Sequence, residues 1–311
     1  MLKLVKIVCP LCGYLEFTNV AVRFDKLNIV RCKRCKVAYV NPRPTAEDIA
    51  KMYKENYYIG GEDTAIGYGN YFPSVVNIKC YPPYGWELLL EETSLANKRT
   101  LDIGCAFGHW VYWMTKEGAK ATGIDLAPEA IKWGRGKFGL DMRQSTLESL
   151  EEPKESFDVI TMFDLIEHII ELEKFMTDLV SFLKPGGLVF VQTPNFGSYQ
   201  TWGERSIHMR FSLEHMLYFE VASLDQLFSK YGMLPTRETR VLYNIPCNVE
   251  SYVNVRKAEC GRFGARIRQL HSFEFLRLVR SKLLRFKHVY RYDESKQEGS
   301  TIIGSYSKQV S

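Results

Sequence analysis

TLDIGCAFGHWVYWMTKEGAKATGIDLAPEAIKWGRGKFG, Thr100 to Gly139, decides how the rest of the chain is read. A short apolar run, TLDIG, ends in a glycine-rich turn. HWVYWMTKEG follows with helical patterning, AKATGIDL is a second apolar run, and APEAIKWGRGKFG is a second helix. Working outward, MRQST is strand-like, FDVITMF (157–163) is a buried strand, IELEKFMTDLVSFLK (170–184) a helix and LVFVQT (188–193) another buried strand. Continuous apolar strands separated by helices indicate a parallel sheet covered on both faces. The expected class is α/β, doubly wound.

The turn itself, DIGCAFG from Asp102 to Gly108, carries the first chemical signal. A chain that turns tightly and lets a ligand approach its backbone needs residues such as Gly104 and Gly108 there. Seventeen residues beyond Gly108, Asp125 closes the second strand, a position suited to accepting both hydroxyls of a ribose. A dinucleotide would need three glycines and a helix N-terminus open to pyrophosphate. Here Ala106 stands between Gly104 and Gly108, and Asp102 precedes the turn. A carboxylate at that point repels a pyrophosphate and attracts an ammonium. S-adenosylmethionine has an ammonium and no phosphate, so the charge favours it over a nicotinamide cofactor.

Over roughly Thr100 to Gly232 the sequence resembles the class I S-adenosylmethionine-dependent methyltransferases. LDIGCAFGHW resembles their first motif, GIDLAPEAI their second, and FDVITMFDLIEHI with LKPGGLVFVQTPN their fourth- and fifth-strand signatures. The departure is Ala106, where these enzymes usually carry glycine. The resemblance implies a mostly parallel, Rossmann-like sheet of seven strands. TRETRVLYN (236–244) and GSTIIGSYSK (299–308) would be its closing antiparallel pair. It also implies that Asp102, Gly104, Cys105, Ala106 and Gly108 hold the methionine part of the cofactor. Asp125 and Leu126 would lie at the ribose, Thr146 and Leu147 would flank the adenine, and Phe163 with Asp164 would line the floor.

Four of the eight cysteines are paired: Cys9 and Cys12 in CPLC, Cys32 and Cys35 in CKRC, with nineteen residues between the pairs. Each C-x2-C turn aims two thiolates at one ion, and the spacing fits a tetrahedral zinc site. Four thiolates leave no open position, so a structural ion is expected. Gly13 follows the first knuckle, and Val20–Phe24 with Leu27–Val30 suits a small β-ribbon. The expected organisation is a zinc ribbon over 1–44, a helical or flap connection over 45–98, and a cofactor domain over 99–311. In the connection, Thr45 caps a helix on which Tyr53, Tyr57 and Tyr58 share a face, and the Gly/Tyr/Pro-rich stretch Gly60–Gly85 follows. A further helix spans about Trp86–Asn97.

Across its 311 residues the chain carries +5, with 46% hydrophobic and 25% charged residues, ordinary for a globular protein. From Arg256 to Tyr292 eleven Lys or Arg stand against two Glu, a local +9 that leaves −4 for the rest. That segment is read as an insertion at about 245–297, in which Phe275, Leu276, Val279, Leu283 and Phe286 form an apolar stripe. Anionic membrane, polyphosphate-linked glycan and RNA are the partners such a stripe fits, against a subunit interface or a solvated face. No apolar run approaches the ~18–20 residues of a membrane-spanning helix, and nothing marks the chain for export. A cytoplasmic location is expected.

Methyl transfer needs a base where the acceptor loses a proton. His168, in DLIEH at the end of the fourth strand, and His215, in SLEHMLYF, are the candidates, with His208 weaker. SLEHMLYF resembles the H-x-x-x-F segment of sugar methyltransferases, in which a histidine faces the acceptor, and His215 leads for that reason. Asp164, Glu167 and His168 also match the DxxEH-like triplet with which quinone-precursor O-methyltransferases bind a divalent metal. The ribbon and NPRPTAEDIAKMY resemble the front end of deoxysugar and polysaccharide methyltransferases. The leading expectation is O-methylation of a sugar, glycan or other small hydroxylated acceptor, in glycan biosynthesis. The alternatives are RNA methylation, from the ribbon and basic insertion, and a non-catalytic protein on a cofactor fold. The absence of an NPPY-like turn after the fourth strand, where FDLI stands, counts against base methylation.

Overall fold

The computed structural model describes residues 3–23, 25–50, 78–79, 82–197, 213–237, 240–242 and 301–310. The face at Tyr53, Tyr57 and Tyr58, most of Gly60–Gly85, His208 and the basic insertion lie outside these residues. Among the described residues no helix is long and apolar enough to cross a membrane.

The chain opens with β1 (Leu4–Val5), β2 (Phe17–Val22), β3 (Asn28–Cys32), β4 (Ala38–Val40) and β5 (Arg43–Pro44). β2, β3 and β4 form an antiparallel meander, and β1 pairs with β5. Helix α1 (Ala46–Ala50) starts where Thr45 Oγ1 accepts the Asp48 amide, with Glu47 and Asp48 complementing its first turn. α2 covers Trp86–Glu92. It is shorter than the sequence suggested, because Thr93 is extended (φ −160°) and Leu95 turns into the core.

The main domain follows the expected alternation: β6 (Arg99–Ile103), α3 (His109–Lys116), β7 (Lys120–Asp125), α4 (Pro128–Phe138), β8 (Asp141–Gln144) and β9 (Phe157–Phe163). Pro128 at the first turn and Gly139 in the left-handed region (φ 67°) bound α4, as the sequence implies. α5 (Leu172–Phe182), β10 (Leu183–Pro194), β11 (Leu217–Tyr218), α6 (Val221–Lys230), β12 (Met233–Pro235), β13 (Arg240–Leu242) and β14 (Thr301–Lys308) complete the order. β8, β7, β6, β9 and β10 lie side by side and parallel, and β14 is antiparallel to β10. β12 and β13 both pair with β14, near its two ends, and together occupy the outermost place. The result is a mixed sheet seven strands wide with the Rossmann-like order of a class I methyltransferase.

Period-two alternation sorts the strand residues onto two cores. Ile160, Val189 and Val191 face α5 and α6, whereas Val159 and Phe190 face α2, α3 and α4. The N-terminal meander does not stand apart from this arrangement. β11 adds to its edge beside β4, and Val30, Val37 and Tyr39 share one continuous core with Leu224, Leu227 and Phe228 of α6. Packing around β7 is tight. A Cβ at Gly123 on β7 would meet Val111 Cγ2 at 2.7 Å and Cys105 Sγ at 2.8 Å. Gly123→Ala is therefore expected to destabilise the fold by about 1–3 kcal/mol, read as a lower urea midpoint.

Candidate functional site

The order of strands changes direction between β6 and β9, and ligands bind at the carboxyl ends of strands beside such a switch. A cavity of about 580 Å³ lies there, within the range of small-molecule sites. The turn after β6 is held by the Gly104 and Cys105 amides, which donate to the Ile124 carbonyl at 2.8 and 3.0 Å. Gly104 has φ 73°, and a Cβ there would press on Leu165 at 3.1 Å. Gly108, φ 83°, begins α3, and its missing side chain makes room for Met142. Ala106 is also left-handed, φ 45°, which explains the preference for glycine at this place in related turns.

Asp102 is 2% exposed, and its Oδ1 accepts the Thr161 hydroxyl at 2.7 Å. Burial pushes this carboxyl up to about 7 despite the hydroxyl, and the charge of Asp125 adds to the rise. Asp125 is bound on both oxygens: Oδ2 accepts the Ala106 amide at 2.8 Å and Oδ1 the Ala127 amide at 2.9 Å. One carboxylate thus fixes the turn to the end of β7. Leu126, exposed, Thr146 and buried Leu147 line one end of the cavity. Thr146 and Ser149 exchange side chain-to-amide hydrogen bonds at 3.1 Å, shaping the segment after β8.

Phe163 and Asp164 also border the cavity. Phe163 stacks on Trp110 with ring centroids 3.7 Å apart and planes at 8°. Asp164 sits at φ 48° and accepts the Gln192 side-chain amide at 3.1 Å. Trp110 and Gln192 are wall residues that the sequence reading did not single out. Trp110 lies inside the quoted turn motif and Gln192 inside QTPN, but nothing along the chain marks their partners. Among the cofactor candidates, Asp102, Gly104, Cys105, Ala106, Asp125, Leu126, Thr146, Leu147, Phe163 and Asp164 all border the cavity. Gly108 acts from behind it.

His168 also borders the cavity, in the single 3-10 turn Ile166–His168. The His215 ring stands edge-on behind it, centroids 4.7 Å apart. Glu167, 1% exposed, completes the group: Oε2 accepts the Thr193 hydroxyl at 2.9 Å, and Oε1 lies 4.0 Å from His168 Nε2. Burial, then the charge of His215, pushes His168 well below the ordinary histidine range. Near neutral pH its imidazole is therefore uncharged, with a free ring nitrogen as an acceptor. Among the described residues, Glu167, His168 and His215 offer donor atoms within 4.8 Å of one another. Asp164, the first acid of the sequence triplet, is not one of them. Its carboxylate turns to Gln192, and His215 occupies the third place, brought in from β11's side of the molecule.

The four paired cysteines converge. Cys9 and Cys35 sulfurs are 3.4 Å apart, Cys12 and Cys32 sulfurs 3.6 Å, and all four lie within 4.8 Å. Four thiolates at about 2.3 Å from a tetrahedral zinc would be separated by about 3.8 Å, so the set fits that ion. The two knuckles have the same backbone: the Gly13 amide donates to the Cys9 carbonyl and the Lys36 amide to the Cys32 carbonyl, at 2.8 and 3.2 Å. Gly13 and Lys36 are both left-handed, φ 70° and 65°.

Residues 84–234 match the family model described as a methyltransferase domain. The chain is 38% identical over 119 residues to the ubiquinone biosynthesis O-methyltransferase of Nitrosococcus oceani, covering 36% of this chain and 50% of that protein. It is 40% identical over 111 residues to the same-named protein of Pseudomonas entomophila, covering 34% and 48%. The chain thus spans about half the length of the curated relatives it matches. A solved S-adenosylmethionine-dependent methyltransferase from Mesorhizobium loti is similar at 14% identity and a TM-score of 0.47, over 72% of this chain and 97% of that one.

Proposed function

We propose that this chain, whose residues 84–234 form a class I S-adenosylmethionine-dependent methyltransferase domain, methylates an oxygen of a small hydroxylated acceptor. The observation that carries the reading is the placing of His168 on the wall of the cavity that the Asp102 turn also borders, backed by His215 and Glu167. S-adenosylmethionine, when bound, supplies an electrophilic methyl group on a sulfonium. Asp102 and the Gly104–Ala106 backbone hold its amino-acid end, Asp125 the ribose hydroxyls, and Leu126, Thr146 and Leu147 the adenine. The Phe163–Trp110 stack shuts water out on one side. His168, uncharged, takes the acceptor's proton, and His215 behind it orients the ring. The sequence favoured His215 as the base. We assign the direct contact with the acceptor to His168 instead, because His168 borders the cavity and His215 stands behind it.

The name of the curated relatives supports oxygen as the atom methylated. The sugar or glycan reading keeps support from the polar rim of the cavity, where Glu171, Lys174 and Asp178 offer partners for several hydroxyls. RNA methylation leans on the basic insertion, outside the described residues. Calorimetric titration with S-adenosylmethionine, and separately with NAD, tests the cofactor. Binding of the sulfonium alone is expected, and binding of NAD alone overturns the reading. A mass-spectrometric screen of phenols, nucleotide sugars and RNA then ranks the acceptors by methyl incorporation.

The cysteine cluster is assigned a structural zinc, and the base role of the histidines needs no second ion. Purified protein dialysed against a weak chelator is expected to retain one zinc per chain. Two ions per chain, with one lost in His215→Ala, would instead make Glu167, His168 and His215 a cation site.

A further inference from the structure

Arg23 lies in the turn between β2 and β3, far along the chain from any residue assigned to catalysis, and yet is 2% exposed. Its guanidinium is committed in two directions. Towards its own turn, it forms an ion pair with Asp25, whose Oδ1 accepts Nε at 3.1 Å and also the Leu27 amide at 3.2 Å. Away from it, the other nitrogens donate to the carbonyls of His215 at 2.8 Å and Leu213 at 3.0 Å. A planar fork that spans two successive-turn carbonyls fixes both the place and the direction of the segment between them. The Tyr218 hydroxyl donates to the same His215 carbonyl at 3.2 Å.

The segment is gripped on its other sides as well. Met216 donates its amide to the Glu167 carbonyl at 2.9 Å, and its carbonyl accepts the Val40 amide at 3.0 Å. Leu217 and Tyr218 then pair with Tyr39 and Ala38 of β4, which begins three residues after Cys35. His215 is therefore held between the strand that follows the second cysteine knuckle and the turn that presents His168. Its backbone carbonyl is pinned by a buried charge from the N-terminal meander.

We propose that Arg23 is a positioning residue for His215, through which the N-terminal cysteine-bearing sheet forms part of the acceptor side of the active site. The guanidinium sets the height of His215 behind His168, and the sheet supplies the rigid frame from which it does so. This rests on the histidines' assigned role only for its consequence in catalysis. The positioning itself is measurable without an acceptor.

The test uses full-length zinc-loaded protein labelled in its six histidine rings, with signals assigned by single His→Gln replacements. Arg23→Met is expected to move the imidazole signals of His168 and His215 and to leave that of His109 in place. Zinc content and affinity for S-adenosylmethionine stay as in the parent. Arg23→Lys, which restores charge and one donor, brings the signals part of the way back. Should Arg23→Met not fold, Tyr218→Phe removes only the hydroxyl on the same carbonyl and must move the same two signals. Unmoved His168 and His215 signals in a folded variant overturn the proposal. Once an acceptor is known, kcat should fall in Arg23→Met with KM for the cofactor unchanged. If no acceptor is methylated but the signals move, the positioning stands and the methyl-transfer reading fails.

Discussion

Cys32→Ser is expected to strip the N-terminal cluster of its metal and to unfold the β2–β4 meander, the largest single effect foreseen for this chain. Cys32 is buried at the end of β3, and its sulfur accepts the Arg34 amide at 3.4 Å besides facing Cys12. A structural zinc contributes an apparent binding energy of about 10–16 kcal/mol, which exceeds or matches the whole stability of an ordinary domain. The β2 side of the meander has little apolar burial of its own: Leu15, Phe17 and Val22 remain exposed, while Val30, Val37 and Tyr39 pack on the α6 side. The damage should spread, because Lys230 at the end of α6 donates to the Leu11 carbonyl at 3.1 Å and the two share a core. Zinc content near zero, a thermal transition lowered by tens of degrees or split in two, and early proteolysis before β4 are the expected readings. A variant that kept its zinc and its transition would show that the cysteines do not hold the ion.

The second large effect concerns Asp102. In the folded chain this carboxyl keeps its proton up to about pH 7, whereas an unfolded aspartate loses it near 3.9. The native state therefore binds the extra proton between those values, and stability falls as pH rises from about 4 to 7. The contribution lost is on the order of 4 kcal/mol, fully so above pH 7. A bound ammonium group reverses the balance by pairing with the carboxylate, so affinity for S-adenosylmethionine should rise as pH passes from 6 to 8. Asp102→Asn keeps an acceptor for the Thr161 hydroxyl and removes the charge. It should flatten the pH dependence of unfolding over that window. It should also weaken cofactor binding by about 10- to 150-fold, the equivalent of about 1.5–3 kcal/mol for a hydrogen bond to a charged group. Urea titrations at several pH values read the first effect and calorimetry the second. Unchanged affinity in Asp102→Asn would remove Asp102 from the cofactor site.

What could be read along the chain was what depends on near neighbours. The CPLC and CKRC knuckles declare themselves by spacing, and their repeated backbone, with Gly13 and Lys36 both left-handed, follows from the four-residue turn each must make. The glycine turn and Asp125 were legible because a strand, a turn and a strand in succession leave one way to bring a carboxylate back to the turn. The expected pairing of the last two β-patterned stretches is seen in β13 and β14, and β12, just before them, joins the same edge. Helix α2 ended early, since the cost of its last turn is decided by where Leu95 finds a core, which the pattern does not state.

The histidine site shows the limit most clearly. His168 and His215 were each noticed, for separate reasons, yet nothing in the sequence says that their rings meet. DLIEH drew attention to Asp164, whereas the folded chain turns Asp164 to Gln192 and places His215 beside Glu167 instead. Arg23 carried no signal at all, being an ordinary arginine in a short turn, 192 residues from the carbonyl it binds. The sequence by itself determined the α/β order, the glycine turn and the four-sulfur cluster, since each is set by covalent spacing and local backbone geometry. Only the tertiary structure decided which histidine touches the cavity, which acid stands with it, and that the cysteine-bearing sheet holds the His215 segment. Those contacts come from the packing of β11 between β4 and the turn after β9, a balance of buried surface and satisfied carbonyls that no short stretch of chain contains.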